Sequence, residues 1–308
     1  MSDIKYWMAL DQAEGLGPVN LKVIYDALAP LSLSMSDVFS LSSEELKSEF
    51  NFSDKIISGF QHAQRLFDSI EEDYFKLMDA KISIIPFFSL DYPQRILKNL
   101  TSAYPPILYG FGNLNLLNTD SIAILGDKDI SFKGEIISYN AAKSLAKHFI
   151  TSISGFAKGV GTIVHRSSIE NGGHTVAVLP YGIFNYKIPD SLSEIINPDS
   201  ICIISPFYPN TPANKFNAFH RNKIICAMSK AVYIVEAPIE GGIFEAAKSA
   251  HKLKIPLFVT KYSEYPQNAL GNQKIISDYD AEPITRRKEV EQIEPDIDKI
   301  IAIAKFKP

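Results

Sequence analysis

The chain has 308 residues, 46% hydrophobic and 21% charged, a balance that supports about two domains with ordinary cores and requires no disulfide framework or structural metal. No apolar run approaches the roughly 18 residues of a membrane span, the N-terminus lacks the basic and apolar regions of a signal peptide, and both cysteines, Cys202 and Cys226, lie in hydrophobic stretches, so a reduced, cytoplasmic protein without a membrane partner is expected. A net charge of −4 argues against a nucleic-acid coat built on bulk positive charge, but not against a local basic site.

Up to about residue 118 the pattern is mainly helical. Ile56, Ile57, Phe60, Ala63 and Phe67 recur at three- and four-residue spacing, the stripe of a helix with one buried face, while Gly15, Gly17 and Pro18 mark a turn. An apolar stretch at 82–88 is followed by Tyr104-Pro105-Pro106-Ile107-Leu108-Tyr109-Gly110. The paired prolines forbid a regular helix there, and an extended crossing between domains is expected.

From residue 121 the signal changes. Short apolar runs at 122–125, 150–153, 175–179, 201–204, 232–235 and 256–259 alternate with amphipathic stretches at 134–148, 164–171, 217–229 and 242–253. Continuous apolar runs suit strands buried on both faces, and Ile137, Ala141, Leu145 and Phe149 form a helical stripe between the first two. The alternation predicts an α/β fold, a Rossmann-like doubly wound and mainly parallel sheet over 119–280, preceded by a helical domain over 1–118. The last stretch, 281–308, is charge-dense at Arg286, Arg287 and Lys288 and apolar again at 300–304, which reads as a linker and a short helix.

Ligands of an open parallel sheet bind beyond the carboxyl ends of the strands, where loops and helix N-termini converge. Three loops expected there carry glycine: Gly126-Asp127-Lys128-Asp129, Ser154-Gly155-Phe156-Ala157-Lys158-Gly159-Val160-Gly161 and Glu236-Ala237-Pro238-Ile239-Glu240-Gly241-Gly242. Glycine lets backbone N–H groups approach an anion, and Lys128 and Lys158 add charge, so the loops together form a candidate phosphate cradle. Taken singly, each glycine serves equally well to turn the chain. A fourth segment, Phe216-Asn217-Ala218-Phe219-His220-Arg221-Asn222-Lys223, combines cationic, aromatic and amide groups suited to phosphates and bases; a solvated helix start capped by Asn217 is the simpler reading. Residues 121–263 hold 15 Lys and Arg against 10 Asp and Glu, net +5, so the acidity belongs to the flanks.

Signals for catalysis are poor. The six histidines show no metal-ligand spacing, the two cysteines do not build a zinc site, and His165 reads as a packed histidine. Glu236 and Glu245 define no paired-carboxylate geometry, and nucleophile-elbow, Walker and dinucleotide fingerprints are all missing. No catalytic residue, metal or cofactor is expected.

In order along the chain, Asp91-Tyr92-Pro93, Pro105-Pro106-Ile107-Leu108-Tyr109-Gly110, Ala123-Ile124-Leu125-Gly126, Ser154-Gly155-Phe156-Ala157-Lys158-Gly159 with His165, Asn171-Gly172-Gly173-His174-Thr175-Val176-Ala177-Val178-Leu179, Arg221-Asn222-Lys223-Ile224-Ile225 and Val235-Glu236-Ala237 resemble blocks of the bacterial DNA-processing protein A (DprA/Smf) family. The match runs over about residues 5–260. The resemblance implies a SAM or helix-hairpin-helix-like helical domain followed by a Rossmann domain that dimerises, binds single-stranded DNA and loads the RecA recombinase in natural transformation, without enzymatic activity. It implies a DNA site at Gly126, Lys128, Ser154, Gly155, Phe156, Lys158, Gly159, Arg221, Asn222, Lys223, Gly241 and Gly242, with Phe156 or Phe219 stacking a base. Gly15-Leu16-Gly17-Pro18 resembles a hairpin turn that either touches a phosphate or merely joins two helices.

The chain also departs from the family pattern. Asp127-Lys128 follows Gly126 where the family has Gly-Ser-Arg, Gly161 replaces an acidic residue, and Ala218-Phe219 stands for Phe-Pro. Lys223 replaces an arginine, Glu240-Gly241-Gly242 stands for Ser-Gly-Ser, and the segment after Ala281 is too short for the winged-helix domain of many members. Two other readings stay open. Glu240-Gly241-Gly242-Ile243-Phe244-Glu245 faintly resembles the loop of lysine-decarboxylase-like phosphoribohydrolases, and the altered loop at Asp127 suits a nucleotide sensor in a defence system.

Overall fold

The computed structural model describes residues 3–31, 33–288 and 291–306; Met1, Ser2, Ser32, Glu289, Val290, Lys307 and Pro308 lie outside the described residues. The chain divides into two compact units, one running to Tyr92 and including Thr101–Tyr109, the other made of Pro93–Leu100 and the residues from Gly110 onward.

The first unit contains α1 (Ile4–Asp11), α2 (Pro18–Leu28), α3 (Met35–Phe39), α4 (Ser43–Phe50), α5 (Asp54–Asp79) and β1 (Ser83–Pro86). Serines start three of these helices: Ser34, Ser42 and Ser53 each accept an N–H bond from the residue three positions on, and Ser42 completes a capping box with Glu45. Each cap satisfies an otherwise orphaned amide and fixes where the helix begins. α5 buries Ile56, Ile57, Phe60 and Ala63, as its spacing predicts. At Gly59 a Cβ would fall 2.4 Å from the Leu16 side chain, so a glycine is needed for α5 to close on the turn between α1 and α2. That turn has Gly15 at φ +82°, and Pro18 opens α2 at a position where its missing N–H costs nothing. Tyr25 stacks on Phe88 at 4.7 Å, and the buried Tyr92 hydroxyl donates to the Pro105 carbonyl. The Pro105-Pro106 segment leads into β2 (Ile107–Gly112), which carries the chain from the first unit into the second.

The second unit contains α6 (Gln94–Leu100), β3 (Ser121–Leu125), α7 (Phe132–Lys147), β4 (Thr151–Gly155), α8 (Val160–Glu170), β5 (Thr175–Val178), α9 (Asp190–Ser193) and β6 (Ile201–Ser205). It continues with α10 (Lys215–Met228), β7 (Ala231–Ile234), α11 (Gly242–Lys252), β8 (Leu257–Thr260), α12 (Leu270–Asp278), β9 (Glu282–Ile284) and α13 (Asp298–Lys305). Seven strands pair in parallel in the order β6-β5-β4-β3-β7-β8-β9. This is the Rossmann-like doubly wound fold, and strand order reverses between β3 and β7, the topological switch point. The strands β3 to β7 are buried throughout, which is why they appear as unbroken apolar runs.

Three features differ from the sequence reading. Phe149 does not extend the stripe of α7, which ends at Lys147, and is 91% exposed. α8 begins at Val160 rather than near 164, because a glycine at φ +80° stands as its N-cap. Residues 281–308 do not merely link: β9 pairs with β8 through Val259 and Pro283, and Ile297, Ile300 and Ala304 join the core around Ile122 and Ile124. A three-residue edge strand containing a proline leaves no period to read. The two buried cysteines are free thiols that burial pushes up to about 12, which makes them inert at neutral pH. Among the described residues no helix is long and apolar enough to cross a membrane.

Candidate nucleic-acid interface

β3, β4 and β5 lie side by side, and the segments that follow them border one open groove of about 710 Å³. Lys128 enters it from the loop after β3, Lys158 from the loop after β4 and Lys187 from the segment after β5, beside the rings of Phe156 and Tyr181. All three lysines are exposed. Lys128 stands 4.0 Å from Asp129, whereas Lys158 and Lys187 have no ion pair among the described residues. Asp129 and Glu135 also line the groove, so its net charge is modestly positive. No group of side chains suited to a metal ion occurs among the described residues.

Glycine here serves backbone packing. A Cβ at Gly159, with φ +80°, would lie 2.5 Å from the carbonyl oxygens of both Asp127 and Lys128, so the loops after β3 and β4 press backbone on backbone. A Cβ at Gly161 would lie 2.1 Å from the Gly155 carbonyl, so any side chain there would require the backbone to shift. At Gly126 it would strike Val160 at 2.3 Å. Many loop amides are spent inside the protein: Asp127 N–H on Glu236 O, Phe156 N–H on Val178 O, Ala157 N–H on Gly155 O, Val160 N–H on Asp127 O and Thr162 N–H on Ala157 O. Five of the amides expected to build a phosphate cradle are therefore already bonded within the protein, and the exposed cations bordering the groove are lysine side chains.

Several of the expected site residues lie behind the groove rather than in it. The Ser154 hydroxyl donates to the Ile124 carbonyl at 2.7 Å within the sheet. Arg221 is only 7% exposed, with Nη1 donating to the Val178 carbonyl at 2.8 Å. Its guanidinium occupies the space left by Gly155, where a Cβ would meet Nη1 at 1.9 Å. Its Nε finds no acceptor among the described residues. Burial lowers its pKa to about 10, against a smaller opposing effect of Tyr181, so the residue remains a cation at neutral pH. No carboxylate pairs with it among the described residues, and a buried cation so placed is costly. His165 sits close by, its Nδ1 2.8 Å from the Thr175 hydroxyl and its Nε2 3.3 Å from the Gly155 carbonyl. Burial lowers its pKa to about 4, opposed by the Gly155 carbonyl and assisted by the charge of Arg221. It is a neutral, packed histidine, as the sequence suggests.

The remaining expected residues form a separate cluster where α10 meets α11. Asn222 Nδ2 donates to the Gly242 carbonyl at 3.0 Å, and the Phe219 ring lies 3.4 Å from where a Gly242 Cβ would be. Gly241 precedes α11 at φ +113°, and Lys223 is half-buried. None of these borders the groove. Asn217 is not the cap of α10; Asn214 accepts its N–H at 2.8 Å.

The switch-point crevice between β3 and β7 is filled by the protein itself. Glu236 is fully buried and accepts from Ser131 N–H at 2.8 Å, Ser131 Oγ at 2.5 Å and Tyr262 Oη at 2.8 Å. Gly134 gives the carboxylate room, since a Cβ there would lie 2.7 Å from it. Tyr181 and Lys187 were missed by the sequence reading. The only signal for them was an aromatic and a cation in an otherwise irregular stretch after β5.

A family model described as DNA recombination-mediator protein A matches residues 83–294. The chain is 32% identical over 182 residues to the DNA processing protein DprA of Streptococcus pneumoniae, across 56% of this chain and 62% of that protein. It is 29% identical over 184 residues to Protein Smf of Escherichia coli, across 59% and 49%, and 28% identical over 288 residues to Protein Smf of Synechocystis sp., across 89% and 69%. The matched segment thus spans less than two thirds of the first two relatives. Among solved structures, DprA from S. pneumoniae aligns with a TM-score of 0.73 at 19% identity, covering 99% of this chain and 98% of that one. DNA processing protein A from Helicobacter pylori, described for its single-stranded DNA binding mode, aligns with a TM-score of 0.56 at 23% identity, covering 66% and 90%. At these identities the two structures establish a shared fold, and the family match over most of the chain settles membership: the protein belongs to the DNA recombination-mediator protein A family.

Proposed function

We propose that this chain binds single-stranded DNA in the groove beyond β3, β4 and β5, acting as a recombination mediator and not as an enzyme. The observation that carries the reading is the convergence of Lys128, Lys158 and Lys187 beside Phe156 and Tyr181 in one open groove. Lysines neutralise phosphates without reading sequence, and the half-buried Tyr181 ring takes an unstacked base, which only a single strand offers; Phe156, only 6% exposed, packs against His165 instead. Arg221 adds an unneutralised charge from behind the wall. The net +5 of residues 121–263 in a chain of −4 suits a confined contact rather than a coat. The H. pylori relative, described for single-strand binding, supports the same ligand. By the same family reasoning the working form is a homodimer in the cytosol and the protein partner is RecA.

The test is fluorescence anisotropy of labelled single- and double-stranded oligonucleotides across salt, comparing wild type with Lys158→Glu. The single strand binds more tightly, and the variant weakens it and flattens the plot of log K against log salt by about 0.7 for each phosphate it no longer neutralises. Equal, negligible binding by both proteins at low salt overturns the reading. RecA loading is read separately, as faster filament growth on the protein-bound strand; no acceleration removes that part alone.

A further inference from the structure

The helical unit carries a second cationic face, independent of the groove. On α5, Lys55, Ser58, His62 and Arg65 fall within an arc of about 80° at roughly 100° per residue, away from the buried Ile56, Phe60 and Ala63. With Glu14 and Gly15 they border a shallow hollow of about 320 Å³. The turn holds this face in place. Glu14 N–H donates to His62 Nδ1 at 2.9 Å, which makes Nδ1 the acceptor and leaves the outward Nε2 to carry the ring N–H. Gly15, at φ +82°, lies under the Lys55 stem, whose Cε is 3.6 Å from the position of a Cβ there. Neighbouring cations are neutralised, Lys47 by Asp54 at 2.9 Å and Lys22 by Asp26 at 2.8 Å, but Lys55 and Arg65 have no ion pair among the described residues. Among the described residues, Glu14 is the one carboxylate bordering the hollow.

We propose that this face is a second nucleic-acid contact, which takes successive phosphates of a single strand. The proposal rests on the reading that the chain binds single-stranded DNA and adds a surface to it. Three features point to a phosphodiester chain rather than a small anion. From Lys55 to Arg65 the donors form a line about 15 Å long, at 1.5 Å rise per residue, longer than one phosphate needs. Lys55, Ser58, His62 and Arg65 all border the hollow along that line. No aromatic ring borders it, so it offers charge and N–H donors without a stacking platform, and its contribution is sequence-independent and salt-sensitive.

The experiment uses the full chain and a labelled oligothymidylate, with the Lys55→Ala/Arg65→Ala double variant and Lys22→Ala as a control exposed on the same unit. Both changed positions of the double variant are exposed, so folding is preserved, and thermal unfolding verifies it. The double variant loses affinity by about fivefold to tenfold at low salt and its salt slope falls by about 1.4, two phosphates at roughly 0.7 each; Lys22→Ala changes neither. In parallel, the oligonucleotide shields Lys55 from acetylation, read by mass spectrometry, while inorganic phosphate at equal phosphate concentration does not. An unchanged slope with Lys55 unshielded overturns the proposal, and if Lys158→Glu still weakens binding the groove reading survives it. Equal shielding by inorganic phosphate also overturns it, since the face would then be a small-anion site.

Discussion

The crevice between β3 and β7 and the groove beyond β3, β4 and β5 share one sheet edge, and they are occupied in opposite ways. In the crevice, where this fold commonly receives a ligand, Glu236 takes three hydrogen bonds from Ser131 and Tyr262 and Gly134 makes room for its carboxylate. Burial and the neighbouring carboxylate push the Tyr262 hydroxyl well up, so it stays a donor. The protein fills that space with its own carboxyl side chain. In the groove, Lys158 and Lys187 face solvent without an ion pair among the described residues, although Asp129 and Glu135 share the lining, and the buried Arg221 likewise has no ion pair among them. The difference teaches that glycines at strand ends do not by themselves announce an anion site; what stands opposite the space they leave decides it.

The largest effect is expected at the groove's own glycine. Gly159→Ala places a side chain at φ +80° against two carbonyls at 2.5 Å, so backbone strain of about 1–3 kcal/mol and overpacking of a similar size should together cost about 3–5 kcal/mol in chemical denaturation. A loss under about 1 kcal/mol would show that the two loops are not packed backbone on backbone.

The wall behind the groove gives the next largest effect. His165 is neutral when folded, with its pKa lowered to about 4 from 6.5, so the unfolded chain binds the extra proton as pH falls below 6.5. Its contribution to stability is full above that pH and is lost progressively down to about 4. Between pH 7 and pH 5 wild type should lose about 2 kcal/mol more than His165→Gln. Parallel pH dependences of the two proteins would mean that the imidazole is accessible to protons in the folded state.

The crevice gives the smallest effect. Glu236→Gln keeps the shape but puts an NH2 where one oxygen now accepts from Ser131 or Tyr262, so at least one buried hydrogen bond is lost at a cost of about 1–2 kcal/mol in denaturation, while oligonucleotide affinity stays unchanged. Weaker oligonucleotide binding by a variant of full stability would make the crevice part of the binding site and erase the contrast.

The runs at 122–125, 175–179 and 201–204 could be read directly because strands covered on both faces have no polar positions to interrupt them. β9 could not, since Glu282–Ile284 is a strand only because β8 lies beside it. Lys128, Phe156 and Lys158 were legible through their position after strands, a topological argument that needs no side-chain coordinates. Lys187 was not, because the segment after β5 is irregular and its approach to the groove depends on how that segment folds back. Arg221 was legible as a residue but not in its role. It reads as a surface cation and is in fact a buried one, fitted into the space left by Gly155.

By itself the sequence determined the order of elements, the parallel sheet and the edge on which chemistry had to lie, because burial periodicity and chain direction are properties of the chain. Only the tertiary structure decided which glycines seat a side chain, which amides are already spent and which cations face water. Each of those depends on the atom packed opposite, and that atom comes from a distant part of the chain: Glu236 against Gly134, Arg221 against Gly155, Asp127 against Gly159.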